Sequence, residues 1–66
     1  MNLVQGLLRE IDRCEGLAKM YEDIGPAGLF ALGFIRLDIK RAKAAIGEGD
    51  AVSILRSYNK LKAYEG

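Results

Sequence analysis

Apolar residues between Asn2 and Ile24 return three and four positions apart. Val4, Leu7, Ile11, Cys14, Ala18 and Tyr21 form one stripe, and Leu3, Leu8, Leu17 and Ile24 widen it. The spacing predicts a helix over 3–24, capped by Asn2, with Arg9, Asp12, Arg13, Lys19 and Asp23 toward water. Gly6 and Gly16 each cost such a helix about 1 kcal/mol against alanine, so packing has to offset them. Gly25-Pro26 breaks the pattern: glycine suits the left-handed position past a helix end, and proline suits a first helical position. A second helix is expected over 26–46, antiparallel to the first. Its opening part, Ala27 to Ile35, is apolar on every side. Its later part places Ile35, Ile39, Ala42 and Ile46 on one side and Arg36, Lys40 and Lys43 on another. Gly47 is expected to end this helix and Asp50 to cap a third over 51–64, whose apolar face is Ala51, Ile54, Leu55, Tyr58 and Leu61. No strand pattern or internal repeat interrupts the series. The fold expected is all-α, a small three-helix antiparallel bundle made of a long helical hairpin plus a shorter third helix, in a single domain over 1–66.

Length turns this picture toward self-association. In 66 residues one core usually supplies about 3–5 kcal/mol unless a disulfide, a metal or a second chain adds to it. One cysteine, Cys14, excludes an intrachain disulfide, and the absence of histidine excludes a Cys/His zinc site. Cys14 on an apolar stripe reads as a small buried hydrophobe. A helix apolar all round has to be covered all round, and one neighbouring helix covers only part of it. A second copy packing on Leu29, Phe30, Ala31, Gly33 and Phe34 is therefore expected, with Ala27, Gly28, Ala31 and Gly33 small enough for backbones to approach closely.

Charge adds little. Residues 1–25 carry three basic and five acidic side chains, residues 26–66 seven and four, so −2 and +3 combine to the overall +1. That asymmetry falls short of the basic stripe of a dedicated DNA binder. The twelve uncharged residues from Ile24 to Ile35 are too few for a bilayer span, which needs roughly 20. The N-terminus has no basic leader followed by a long apolar run, so a cytoplasmic protein without a membrane partner is expected.

Candidate chemistry is sparse. Gly28-x4-Gly33 has the spacing of a phosphate loop, but Phe34 stands where its lysine belongs. Gly47-Glu48-Gly49-Asp50 lacks the ligand spacing of a calcium loop. Ser53 and Ser57 have no base beside them in sequence, so no catalytic residue, metal site or cofactor is assigned and an enzyme is not expected. Ligand binding has two candidate places. One is the Gly25-Pro26-Ala27-Gly28 turn, where the Gly28 and Leu29 amides at a helix start suit a phosphate, with Tyr21, Lys62 and Tyr64 expected nearby. The other is Arg36 and Lys40, which belong with Lys43 to a basic row directly after the expected self-association surface. A DNA-reading third helix through Arg56, Asn59 and Lys60 is disfavoured by the length of helix 2 and the acidic turn before it.

Tyr21 to Lys62 also resembles small helical proteins encoded by phages and prophages of Proteobacteria. The shared features are Ile24-Gly25-Pro26-Ala27-Gly28 followed by Phe30, and Gly49-Asp50 followed by Val52. The resemblance covers about two-thirds of the chain and implies a phage accessory protein acting in the host cytoplasm, a group rich in inhibitors of host defence. The first functional expectation is a non-enzymatic homo-oligomer that sequesters a phosphorylated small ligand such as a cyclic or oligomeric nucleotide signal. The alternative is an inhibitor that docks on a host protein through an exposed helix face. A small DNA-binding regulator comes third.

Overall fold

In the computed structural model, which describes residues 2–65, three α-helices run up, down and up again. Helix α1 spans Leu3–Ile24, a 3-10 turn spans Pro26–Gly28, α2 spans Leu29–Glu48 and α3 spans Ala51–Lys62. Their shared interior holds Leu7, Ile11, Cys14, Leu17 and Ala18 of α1, Leu32, Ile35, Ile39, Ala42 and Ala45 of α2, and Ile54 and Leu61 of α3. The expected all-α hairpin with a shorter third helix is what forms.

Each boundary has a local cause. Asn2 Oδ1 accepts the Gln5 N–H at 2.7 Å, satisfying one of the amides that a helix start leaves unpaired. Gly25 takes φ +87, where a side chain would be strained, and its N–H returns to the Glu22 carbonyl. The chain then tightens into the 3-10 turn, so α2 begins at Leu29 rather than at Pro26. The reason is contact: Gly28 sits so close to α1 that a Cβ there would lie 2.3 Å from the Tyr21 carbonyl oxygen. Only a bare glycine lets the two backbones meet at this corner.

Two further expected ends move. Gly47 stays helical, and Gly49 ends α2 instead, in the left-handed conformation with its N–H shared by the Ala45 and Ile46 carbonyls. Asp50 follows immediately and caps α3, accepting the Val52 N–H at 3.1 Å and the Ser53 hydroxyl at 2.8 Å. Helix α3 stops at Lys62, two residues short of the expected Tyr64. The Leu61 carbonyl accepts from the Arg13 guanidinium at 2.8 Å, the Cys14 thiol at 3.5 Å and the Tyr64 N–H at 3.1 Å. The chain turns there, and the Tyr64 hydroxyl donates to Asp38 Oδ2 at 2.6 Å.

The stripes are narrower than the sequence pattern suggests. Val4, Leu8, Ile24, Ala51 and Leu55, expected on inward faces, are exposed, because three short helices enclose only the centre of each stripe. The first half of α2 divides likewise. Leu32 and Ile35 are covered within the subunit, whereas Leu29, Phe30 and Phe34 are not.

The Asp38–Tyr64 bond gives the fold an alkaline limit. Burial first, then the hydrogen bond to Asp38 and that carboxylate's charge, hold the Tyr64 hydroxyl well above the ordinary tyrosine range. The unfolded chain therefore releases this proton more readily than the folded one. Stability is intact below the ordinary tyrosine value of about 10 and declines as pH rises past it. A Tyr64→Phe variant should show a shallower decline than the wild type in urea titrations between about pH 8 and pH 11. Equal declines would mean that the Tyr64 proton is not linked to folding.

Candidate functional site

The turn expected to hold a phosphate is engaged with itself. The Gly28 N–H donates to the Gly25 carbonyl at 2.9 Å and the Leu29 N–H to the Pro26 carbonyl. Both amides assigned to a ligand therefore already have partners. Gly25, Pro26 and Ala27 complete a connector whose geometry is accounted for by the close approach of Gly28 to Tyr21. A larger residue at Gly28 would meet the Tyr21 backbone, so the corner admits no side chain there.

The side chains expected around that turn are not gathered there. Tyr21 is half-buried at the edge of the core. The Lys62 ammonium lies over the Tyr58 ring, 5.7 Å from its centre, and Tyr58 in turn leans toward Gly6. Gly6 is 19 residues from Gly25 along α1, roughly 28 Å at 1.5 Å per residue. Tyr64 is tied to Asp38, ten residues from Gly28 along α2 and so about 15 Å from the turn. The cause is the length of α3: twelve residues climb only about 18 Å, against about 33 Å for α1.

The basic row is mostly paired with α1. Arg36 meets Glu22 at 2.8 Å and Lys43 meets Glu15 at 3.3 Å, which aligns the hairpin but, with both pairs about half exposed, stabilises it by at most about 1 kcal/mol each. Lys40 points to solvent. The row is thus chiefly a hairpin-aligning face.

A different constellation assembles between α2 and α3. An open groove of about 1000 Å³ runs along their outer junction. Asp38, Arg41, Ala45 and Glu48 line it from α2; Ser53, Arg56, Ser57 and Lys60, with Tyr64 beyond the helix end, line it from the other side. Asp38 is 7% exposed and held by the Tyr64 hydroxyl. Among the described residues, Arg41, Arg56 and Lys60 make no ion pair within 4 Å.

Sequence reading missed Asp38 and Arg41 as contributors. Ile35, Asp38, Ala42 and Ala45 are three and four apart, so an acid at a core position was the available signal for the first. For Arg41 the signal was the tight turn at Gly49-Asp50, which sets the antiparallel alignment opposite Lys60. Cys14 offers no second site: burial raises the thiol out of its reactive range, the Arg13 charge opposing this more weakly. Among the described residues, no helix is long and apolar enough to cross a membrane, and no group of three or more His, Cys, Asp or Glu side chains is placed to hold a metal ion.

The remaining candidate is apolar. Phe30, Phe34 and Leu37 lie four and three residues apart on one face of α2 and are 84%, 64% and 43% exposed. Leu29, also exposed, stands on the first turn of the same helix, and Gly33 and half-buried Ala31 leave room between the large side chains. No family profile matches this chain, and neither a curated protein nor a solved structure was found to match it.

Proposed function

We propose that this is a non-enzymatic binding protein that works as a homo-oligomer, its copies joined through the first half of α2. The exposed Phe30–Phe34–Leu37 stripe carries the reading. Two phenylalanines and a leucine held in water forgo several kcal/mol at about 25 cal/mol per Å², which is comparable with the whole stability of a domain this small. A stripe without a charge suits a lasting contact, since permanent interfaces are the more apolar class. Gly33 and Ala31 let a second α2 approach closely. A stable contact needs about 800 Å² from each partner, roughly a sixth of the 4611 Å² this subunit exposes.

Phe30→Glu is expected to give a monomer that keeps its helix content, because Phe30 contributes almost nothing to the subunit's own core. Light scattering on a sizing column, with circular dichroism alongside, reads both. A wild-type monomer at about 100 μM would leave the stripe to a foreign protein, the inhibitor alternative, and end the homo-oligomer reading.

Sequestration of a phosphorylated small ligand is a second reading, favoured by the basic groove between α2 and α3 rather than by the engaged amides of the turn. Both readings fit the phage accessory proteins that Tyr21 to Lys62 resembles.

A further inference from the structure

We infer that the α2/α3 groove is a binding site for a small phosphomonoester, with Arg41 and Lys60 holding the phosphate from opposite walls. This gives the phosphorylated-ligand reading a place it lacked, and it does not depend on self-association, because every residue involved comes from one subunit.

The alignment follows from the fold. Helix α2 descends to Gly49 and α3 rises from Asp50, so residues equally far from that turn stand opposite one another. The Asp38–Tyr64 bond fixes the register at the upper end. Arg41 lies eight residues from Gly49 and Lys60 ten from Asp50, so the two stand within about 3 Å of the same level, a gap their long side chains span, and both line the groove. Arg56 lies one turn further down on the same face of α3 as Lys60.

The charges are arranged in a sequence that suits a dianion. The two carboxylates lie at the ends, Asp38 above and Glu48 below, ten residues or about 15 Å apart along α2. The cations lie between them. A guanidinium fork can grip two phosphate oxygens at once, and an ammonium across the groove supplies a second charge. Two unpaired cations at nearly one level repel each other until a group with about two negative charges sits between them. A single carboxylate neutralises only half of that.

The rest of the groove suits the body of such a molecule. Ala44, Ala45 and Ala63 contribute apolar surface to it, the Tyr64 ring lies beside Asp38, and Ser57 offers a hydroxyl. A volume of about 1000 Å³ is at the large end for small-molecule sites and accommodates a mononucleotide.

The test titrates the full chain with adenosine 5′-monophosphate, adenosine and inorganic phosphate, following backbone amide shifts by NMR. Expected is saturable binding of the monophosphate, at least about tenfold tighter than adenosine, with the largest shifts at Arg41, Ser57 and Lys60 and weakening as salt is added. Arg41→Gln and Lys60→Gln should each lower that affinity at least about fivefold while Lys40→Gln leaves it unchanged. All three positions are exposed, so the variants are expected to fold, which circular dichroism checks. Shifts confined to the Gly25–Gly28 turn, equal affinity in Arg41→Gln, or saturable binding of a single-stranded oligonucleotide with none of the monophosphate would each overturn the assignment. Light scattering on the same samples separates this result from the oligomer question, since a monomer that binds the monophosphate refutes only self-association.

Discussion

Gly28→Ala is expected to leave little folded protein. The added methyl would stand 2.3 Å from the Tyr21 carbonyl oxygen and 3.0 Å from its carbonyl carbon, so relief requires α1 and the 3-10 turn to move apart as backbones. Overpacking by one methyl typically costs about 1–3 kcal/mol even where side chains can yield. Here they cannot, and a core of this size supplies about 3–5 kcal/mol in all. Gly16→Ala is the matched control: nothing lies within 4 Å of its added methyl, and alanine in mid-helix should raise stability by about 0.5–1 kcal/mol. Urea midpoints measured by circular dichroism should therefore shift in opposite directions. A Gly28→Ala protein as stable as the wild type would show that the corner is not limited by this contact.

Leu61→Ala should be nearly as damaging. Leu61 is fully buried, and among the described residues it and Ile54 are the only buried side chains that α3 contributes to the core. Truncating a buried leucine costs about 2–5 kcal/mol, the spread reflecting how far the site can collapse. Collapse is restricted here because the Leu61 carbonyl is tied to Arg13 and Cys14 of α1. Leu55→Ala, on the exposed side of the same helix, should cost well under 1 kcal/mol. If the two variants unfolded at the same urea concentration, the packing of α3 described above would be wrong.

The helices themselves could be read from the chain because an apolar residue every three or four positions has few other solutions, and because Asn2, Gly25-Pro26 and Asp50 mark ends by their own chemistry. Gly47 and Gly49 show where that reading fails. Either residue can leave the helix, and the choice falls to Gly49 because Asp50 must follow at once to receive the Val52 and Ser53 donors. The candidate site was less accessible for a similar reason. Tyr64 and Asp38 are 26 residues apart, and no local rule pairs them. The sequence places Lys62 beside the turn only if α3 returns the full length of the hairpin; the helix stops about halfway, and its lysine settles on Tyr58. Composition alone did point to the exposed phenylalanines, since a helix apolar on every side has more surface than one small bundle can cover.

The short third helix also grades the subunit's resistance to opening. Below Leu61 the inward turns of all three helices pack on one another, so releasing an amide to solvent there, away from the helix ends, requires something close to complete unfolding. Above it, the two helices of the hairpin have only each other, and their amides can exchange through a partial opening that leaves the base intact. Phe30 and Phe34 lie in that weaker portion. A molecule that covers them adds the missing third layer where the subunit has none of its own, so its binding and the rigidity of the hairpin tip are thermodynamically one event.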